Sequence, residues 1–259
     1  MSIEKSGIIT LCGRPNVGKS TLLNAVAGTF PVDAGSISLG GVDVTKLPEH
    51  KRAQYIGRVF QDPMLGTAPT MQIEENLALA ARRGKSRGLR WGITKTERED
   101  YIQRLKILDL GLEERLTSKV GLLSGGQRQA LTLLMATLIK PQLLLLDEPF
   151  AAIDAKVRQE LRTWLKEMIS KLGVTSIFVT HDQDEAIEVA DEIIITNWGR
   201  IEQKGTPLEV YQNPDTAFTA GFFGQTSVID DYQVFNHFEE VPGGEKAIVR
   251  PEFVKVTKK

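Results

Sequence analysis

The chain has 259 residues, 41% of them hydrophobic and 25% charged, with a formal net charge of -1 at pH 7. These values are typical of a globular protein with one large domain, or one domain and an appendage. A charge this close to zero gives no general attraction to nucleic acid or anionic lipid, so we expect no nucleic-acid partner. The single cysteine, Cys12, excludes an internal disulfide and fits a reducing compartment. Because Cys12 lies in an apolar run, we expect a packed core thiol.

No segment of the sequence is apolar enough to predict a membrane span. A transmembrane helix needs about 20 consecutive apolar residues, and no stretch approaches that length. The N-terminus does not resemble a signal peptide, because Ile3-Glu4-Lys5-Ser6 interrupts its apolar residues. We therefore expect a cytoplasmic location. If the protein functions at a membrane, a partner protein must supply the membrane-spanning segments.

Hydrophobic periodicity predicts a chain of alternating strands and helices. The predicted strands cover residues 7–12, 55–60, 142–146, 174–180 and 193–196, with small hairpins at 37–44 and around 199–201. The predicted helices cover residues 19–27, 127–139, 155–171 and 184–190, with a mostly helical stretch over 73–116. Residues 82–90 form a basic run, for which a solvated loop is a simpler interpretation than a nucleic-acid or coupling surface. Residues 247–256 predict one or two further strands.

This alternation predicts an α/β fold with a mostly parallel sheet flanked by helices. The run at 142–146 is fully apolar, as in strands that are buried on both faces of a parallel sheet. We expect one large domain over residues 1–225, with a helical subdomain inserted at about 70–140. Residues 226–259 are expected to be a tail or the truncated start of a further domain.

Residues 13–20 read Gly-Arg-Pro-Asn-Val-Gly-Lys-Ser and fit the phosphate-loop pattern, with a predicted strand before them and a predicted helix after them. Glycines let backbone N–H groups turn inward, and a helix N-terminus attracts an anion. We expect Lys19 to reach the β- and γ-phosphates of a nucleotide and Ser20 to bind Mg²⁺. The predicted nucleotide-binding residues of this loop are Gly13, Arg14, Pro15, Asn16, Val17, Gly18, Lys19, Ser20 and Thr21.

Two carboxylates follow the apolar strand at 142–146. Asp147 lies where ligand sites open in parallel sheets and can hold Mg²⁺ through water. Glu148 comes next and can polarise an attacking water. Gln61 and His181 follow two other predicted strands at the same sheet edge, although a histidine there, taken alone, is more often structural. We predict Glu148, His181 and Gln61 as catalytic residues, and Ser20, Gln61 and Asp147 as metal ligands.

A second anion-binding feature follows residue 123. Ser124-Gly125-Gly126-Gln127 begins a predicted helix, whose N-terminus can also attract a phosphate. The phosphate loop at 13–20 is enough to bind the phosphates of one nucleotide. The helix start at 124–127 therefore suggests binding of a triphosphate that is held by another chain. We therefore add Ser124, Gly125, Gly126 and Gln127 to the predicted nucleotide-binding residues.

Residues 13–20, 123–127 and 143–148 together resemble the ATP-binding subunit of ATP-binding-cassette (ABC) transporters, with the motifs in that family's order. The resemblance covers roughly residues 22–225. It implies Mg²⁺-dependent ATP hydrolysis at two sites of a head-to-tail dimer, each completed by Ser124 and Gly126 of the second chain, with 151–154 as the loop that crosses the dimer. It also implies integral membrane permease subunits as partners, docked near Gln61 and the helical insertion at the inner face of the cell membrane.

Residues 148–225 look most like import ATPases of the sulfate/thiosulfate, maltose and polyamine kind. Two departures stand against this resemblance. The phosphate loop starts at residue 13, whereas the family usually has an antiparallel strand pair ahead of it with an aromatic that stacks on adenine, so we expect those strands to be largely missing. Residues 13–24 look instead like the phosphate loop of ribosome-assembly GTPases such as Era. These departures suggest a recombined or designed P-loop chimera.

Two other functions stay open. A GTP-binding switch needs Asp-x-x-Gly and Asn-Lys-x-Asp segments, and we find neither in the sequence. The segment most similar to the second is Thr-Lys-Thr-Glu at 94–97, which ends in glutamate instead of aspartate. A recombined scaffold that binds nucleotide with little turnover is the second alternative, because mismatched segments can pack imperfectly. Comparing affinity for ATP and GTP, and measuring phosphate release, separates these alternatives.

Overall fold

The computed structural model describes residues 7–13, 18–85, 92–151, 153–229 and 247–249. Its centre is a six-stranded sheet in the order β4-β5-β6-β1-β7-β8. The strands are β1 (Gly7–Gly13), β4 (Ile56–Val59), β5 (Leu143–Asp147), β6 (Thr175–Val179), β7 (Glu192–Asn197) and β8 (Arg200–Gly205). All neighbouring pairs in this sheet are parallel except β7 and β8, which form the antiparallel hairpin expected at the sheet edge.

Helices cover both faces of this sheet. They are α1 (Lys19–Ala27), α2 (Glu49–Arg52), α3 (Ile73–Ala81), α4 (Lys95–Lys106), α5 (Gly125–Thr137), α6 (Ala155–Leu172), α7 (Gln183–Val189), α8 (Pro207–Gln212) and α9 (Ala217–Phe222), with a 3₁₀ turn at Val120–Leu122. In the described part of the chain, two short antiparallel pairs lie outside the central sheet: β2 (Ser38–Leu39) with β3 (Val42–Asp43), and β9 (Ser227–Ile229) with β10 (Ala247–Val249). Within the described ranges, no helix combines the length and apolar character needed to cross a membrane.

The apolar strand β5 explains why the sheet is covered on both sides. Successive side chains of a strand point to opposite faces. Leu144 and Leu146 pack with the helical layer that contains α3 to α6, whereas Leu143 and Leu145 pack with Leu23 of α1. Because all four leucines are buried, β5 lies in the interior of the sheet, and its last residue opens onto the edge where the other parallel strands end.

The helical stretch predicted over 73–116 is interrupted. Two helices, α3 and α4, replace it, and the segment after α4 is made of turns. Thr94 caps the start of α4 by accepting a hydrogen bond from the Glu97 amide. Asp109 (φ 51°) and Gly111 (φ 67°) have left-handed backbone conformations that a right-handed helix cannot contain. The predicted helical character is thus confirmed for α3 and α4, and it was wrong for the segment after α4, which forms turns.

The basic run at 82–90 is only partly described, because residues 86–91 lie outside the described ranges. Arg82 forms an ion pair with Glu97 of α4 at 3.0 Å. Arg83 donates a hydrogen bond to the Ala136 carbonyl of α5 at 3.2 Å. Residues 82–84 form turns, as a loop was predicted to, but the two arginine side chains contact neighbouring helices as well as solvent.

The pair β9 and β10 lies after the boundary predicted near residue 225. Residues 250–256, where the sequence predicts further strand, lie outside the described ranges. The division into a domain over 1–225, with its helical subdomain at about 70–140, and a separate segment after it stays a prediction.

Candidate active site

The carboxyl end of β1 brings the chain into the phosphate-loop motif through Gly13. This residue has φ 148°, and a Cβ built on it would lie 2.1 Å from the Thr196 carbonyl oxygen of β7. Any side chain would therefore have to push the two parallel strands apart. The neighbouring Cys12 is fully buried, as expected, and burial raises the pKa of its thiol to about 12. Arg14, Pro15, Asn16 and Val17 lie outside the described residues.

Lys19 is the first residue of α1 and is 8% exposed. The preceding Gly18 has φ 89°, a left-handed conformation that lets the chain turn directly into the helix. Lys19 Nζ donates to the Gly13 carbonyl at 2.8 Å and to the Thr180 carbonyl at 3.4 Å, so it spans the ends of β1 and β6. Burial lowers the pKa of Lys19 because its charged form is desolvated. A phosphate placed here would supply the anionic partner that the two carbonyls do not.

Ser20 and Asp147 meet across α1 and β5. Ser20 Oγ donates a hydrogen bond to Asp147 Oδ1 at 3.2 Å. Burial raises the pKa of Asp147, while the hydrogen bond from Ser20 acts in the opposite direction. A hydroxyl and a carboxylate are hard oxygen donors, and Mg²⁺ is commonly held by one or two carboxylates together with substrate phosphates. The two residues thus fit the predicted metal site.

Glu148 connects the two other residues predicted to be catalytic. Its Oε1 lies 2.9 Å from His181 Nδ1, and its Oε2 accepts a hydrogen bond from Gln61 Nε2 at 3.0 Å. The Glu148 side chain is 18% exposed, whereas that of His181 is 57% exposed. Glu148 has φ 43°, and its amide donates to the Val179 carbonyl of β6 at 2.9 Å. The structure therefore brings the carboxylate, the imidazole and the amide together at one sheet edge.

A buried ionic network lies behind His181, and the sequence did not reveal it. Thr180 Oγ1 donates to Glu185 Oε2 at 2.7 Å and accepts from the Asp182 amide at 3.0 Å. Arg162 of α6 donates to the other Glu185 oxygen at 2.8 Å, with both side chains less than 10% exposed. The network fixes the residues on either side of His181. Its only sequence signal was the Asp182-x-x-Glu185 spacing, which is typical of a helix start.

The residues at the start of α5 form a separate set of hydrogen bonds, made between Ser124 and Gln127. Ser124 caps the helix by accepting from the Gln127 amide, and Gln127 Oε1 accepts from the Ser124 amide at 3.2 Å. The helix therefore begins at Gly125, two residues before the predicted bound. Ser124 and Gly125 are exposed, as is Thr21 in the first turn of α1. The residues at this helix start are thus exposed or partly exposed, while the Ser124 and Gln127 amides are already hydrogen-bonded within the chain.

The mostly parallel sheet, Gly13 at the end of β1, Lys19 and Ser20 at the start of α1, and the carboxylates at the end of β5 define a P-loop nucleoside triphosphatase. A family model described as ABC transporter matches residues 1–151. The chain belongs to the ABC transporter family. The predicted fold class and the predicted membership of this ATP-binding family are therefore confirmed.

Relatives of known name agree with this assignment. The chain is 42% identical to the sulfate/thiosulfate import ATP-binding protein CysA of Acinetobacter baylyi over 258 residues, which cover 99% of this chain and 69% of that protein. It is also 42% identical to CysA of Bacillus cereus over 229 residues, which cover 88% of this chain and 62% of that protein. The chain thus spans between 62% and 69% of the length of these two relatives.

Solved structures share the fold. A dimeric post-hydrolysis state of the ATP-binding cassette MJ0796, bound to ADP and Pi, superimposes with a TM-score of 0.69 at 27% identity. The match covers 80% of this chain and 88% of that chain.

Proposed function

We propose that this chain is the ATP-binding and ATP-hydrolysing subunit of an ABC importer. The observation that carries the proposal is the position of Glu148 between His181 and Gln61, with Ser20 and Asp147 at the same sheet edge. A carboxylate held in this way is a general base placed next to a phosphate site. The names of the relatives suggest sulfate or thiosulfate as the imported solute.

Each residue has a distinct role in the proposed reaction. Lys19, whose Nζ lies at the Gly13 and Thr180 carbonyls, supplies its ammonium to the β- and γ-phosphates of ATP. Glu148 accepts a proton from the attacking water, while His181 and Gln61 hold its carboxylate in place. Because phosphoryl transfer depends mainly on positioning and charge stabilisation, these fixed contacts are the main contribution of the protein.

The proposed cofactor is Mg²⁺, bound together with ATP. Ser20 and Asp147 would hold it, and the amide oxygen of Gln61 is a further donor, since its nitrogen is used by Glu148. When bound, the ion neutralises phosphate charge. Ser20 Oγ donates a hydrogen bond to Asp147 Oδ1, so the two proposed ligands lie close together.

The proposed working form is a head-to-tail dimer with membrane permease subunits as partners. A Cβ on Gly126 would have its nearest neighbours, in Ile153 and Val157, at 3.7 Å, so the packing of the chain itself does not require glycine there. A glycine at an exposed helix start instead allows a second chain to bring a phosphate close to the backbone. We therefore assign Ser124, Gly125, Gly126 and Gln127 to the ATP of the partner copy, and place the protein at the inner face of the membrane when it is docked.

The hypothesis of a recombined chain concerns residues 13–24, whose sequence resembles Era-type GTPase loops. It predicts a clear drop in identity to the CysA relatives within this segment, compared with residues 148–225. Even identity along the chain would remove the hypothesis, and it would leave the proposed ATPase function unchanged.

The test of the proposed function is phosphate release from Mg-ATP, measured together with the molar mass of the protein in solution. We expect ATP-dependent release, an ATP-dependent shift from monomer to dimer, and loss of release in Glu148→Gln. A strong preference for GTP would favour the switch alternative. Nucleotide binding without phosphate release from concentrated protein would favour the scaffold alternative.

A further inference from the structure

Trp198 is a large aromatic side chain left in solvent beside the phosphate-loop motif. It is 81% exposed, the highest value among the exposed large hydrophobic side chains of the described residues. It lies in the turn between β7 and β8, two residues after Thr196. Thr196 pairs in register with Gly13, and the Thr196 carbonyl closes against that glycine. The tryptophan therefore sits at the same sheet edge as Gly13, in the turn that follows the neighbouring strand β7.

The backbone at Trp198 is unfavourable for this residue type. Trp198 has φ 48° and Gly199 has φ 75°, and they connect the paired residues Asn197 and Arg200. Two consecutive left-handed residues form the two-residue hairpin turn in which Asn-Gly or Asp-Gly is favoured. A bulky side chain with a positive φ is uncommon, and such outliers cluster at functional sites. Neither burial nor turn geometry thus accounts for a tryptophan here.

The strand order gives the direction of the bound nucleotide. Asp147 and Glu148 end β5, and His181 follows β6, so the reacting γ-phosphate lies on the β5–β6 side of β1. A nucleoside triphosphate bound at the phosphate loop is extended, so its base lies away from the γ-phosphate. The opposite side of β1 is occupied by β7 and then by the turn that contains Trp198. This turn therefore lies on the side of β1 away from the γ-phosphate, where the base of such a nucleotide can reach it.

We propose that Trp198 stacks on the base of the nucleotide held by the phosphate loop. This inference rests on the proposed function and adds a base-binding residue to it. An exposed indole ring offers a large apolar face, and every base has a π-face, so the contact is tolerant of base identity. Trp198 therefore contributes affinity for the nucleoside, and ATP and GTP benefit by similar factors.

The test compares ATP with inorganic tripolyphosphate, which carries the same phosphates but no base. Kd values for both are measured by calorimetry on Trp198→Ala, Trp198→Phe and the parent chain. We expect the ATP Kd to rise about 5- to 150-fold in Trp198→Ala, the range given by base–aromatic stacking. Trp198→Phe should retain most of the affinity, and the tripolyphosphate Kd should stay within about 2-fold of the parent value, since the phosphate contacts are untouched.

A matched control is Leu208→Ala, which also removes an exposed apolar side chain, 63% exposed, from outside the proposed base site. It should leave both Kd values unchanged. An unchanged ATP Kd in Trp198→Ala overturns the inference, and so does an equal loss for tripolyphosphate. The proposed function would survive either result, whereas a parent chain that binds neither ligand would contradict both.

Discussion

Glu148 Oε1 and His181 Nδ1 lie 2.9 Å apart, although the two residues follow different strands and are 33 positions apart in the chain. The contact exists because β5 and β6 are parallel neighbours whose carboxyl ends meet at one edge. Gln61, from the end of β4, approaches the other oxygen of the same carboxylate. Three consecutive strands of the sheet thus supply one residue each to a single hydrogen-bonded group.

The first prediction concerns Glu148→Gln. The amide keeps the size of the side chain but cannot accept a proton from water. We expect phosphate release to fall by about 10²- to 10⁴-fold, the usual contribution of a general base. ATP affinity should change by less than about 3-fold, because Lys19 and Ser20 are untouched and a loss of the base lowers kcat rather than binding. Single-turnover hydrolysis and equilibrium ATP binding measure the two quantities separately.

The control for this prediction is Gln61→Ala, which removes one support of the carboxylate and a proposed Mg²⁺ donor but keeps the base. Its loss of turnover should be smaller than that of Glu148→Gln. If Gln61→Ala abolished turnover while Glu148→Gln kept it, the assignment of the base to Glu148 would be wrong.

The second prediction is a pH-dependent stability difference between the parent chain and Asp147→Asn. Burial raises the pKa of Asp147 above its ordinary value of 3.8, so the folded chain binds a proton that the unfolded chain has already released. Stability therefore falls as pH rises from 3.8 through the raised pKa, and the cost is fully present above it. Asp147→Asn has no carboxyl group to ionise, so it lacks this loss of stability. In protein without nucleotide, we therefore expect the variant to gain stability relative to the parent as pH rises from 3.8 through the raised pKa.

Denaturant unfolding at several pH values measures this difference. The same variant should bind Mg-ATP more weakly, since it has lost a carboxylate ligand. A stability difference that does not vary with pH would show that Asp147 has no raised pKa in the folded chain.

The third prediction concerns the accessibility of Cys12. Its thiol is fully buried at the end of β1 and its pKa is raised to about 12, so almost no thiolate is present near neutral pH. We expect alkylation of the folded chain at pH 8 to be about 10³-fold slower than in denaturant, since reaction requires opening of the sheet. Saturating ATP should slow it further, because a ligand that binds only the folded state lowers the open population.

The fourth prediction is that Arg162→Met destabilises the chain. Arg162 and Glu185 are a buried ion pair, and the loss of one partner leaves an uncompensated charge. We expect a loss of about 3–5 kcal/mol in the free energy of unfolding. The double variant Arg162→Met/Glu185→Leu should recover much of that loss, because it removes both charges. Equal destabilisation of the single and double variants would contradict the buried-pair explanation.

The sequence predicted the central elements because each is marked by a local pattern. The apolar run before Asp147, the glycines before Lys19 and the strand before His181 are all visible within a few residues, so their existence and approximate bounds could be predicted. The common edge of Gln61, Asp147, Glu148 and His181 followed from one general rule about parallel sheets.

What the sequence could not predict depends on long-range pairing. The first strand of the chain, β1, lies between β6 and β7, and no local pattern records that order. The buried arginines were missed for the same reason. Arg52 is 1% exposed and donates to the Ala25 and Val26 carbonyls at the end of α1, although in sequence it is one of several charged residues in a polar segment. A charged side chain is expected in solvent until its partners are known.

The fifth prediction separates the stability of the β7–β8 turn from the proposed role of Trp198. Trp198 has φ 48°, where a left-handed conformation costs an ordinary residue about 1–2 kcal/mol, while asparagine tolerates it. Trp198→Asn should therefore raise the free energy of unfolding by about 1 kcal/mol, which corresponds to a Tm increase of about 2–4 °C for a domain of this size. Gly199→Ala is the matched opposite: no atom lies within 4 Å of its built Cβ, so its φ of 75° alone should destabilise the turn.

A Trp198→Asn chain less stable than its parent would show that the indole ring stabilises the hairpin, and it would remove the reason to seek a ligand for it. A more stable chain with weaker ATP binding would instead show that the tryptophan is kept at a cost to the fold, since the loss of affinity could not then be attributed to unfolding.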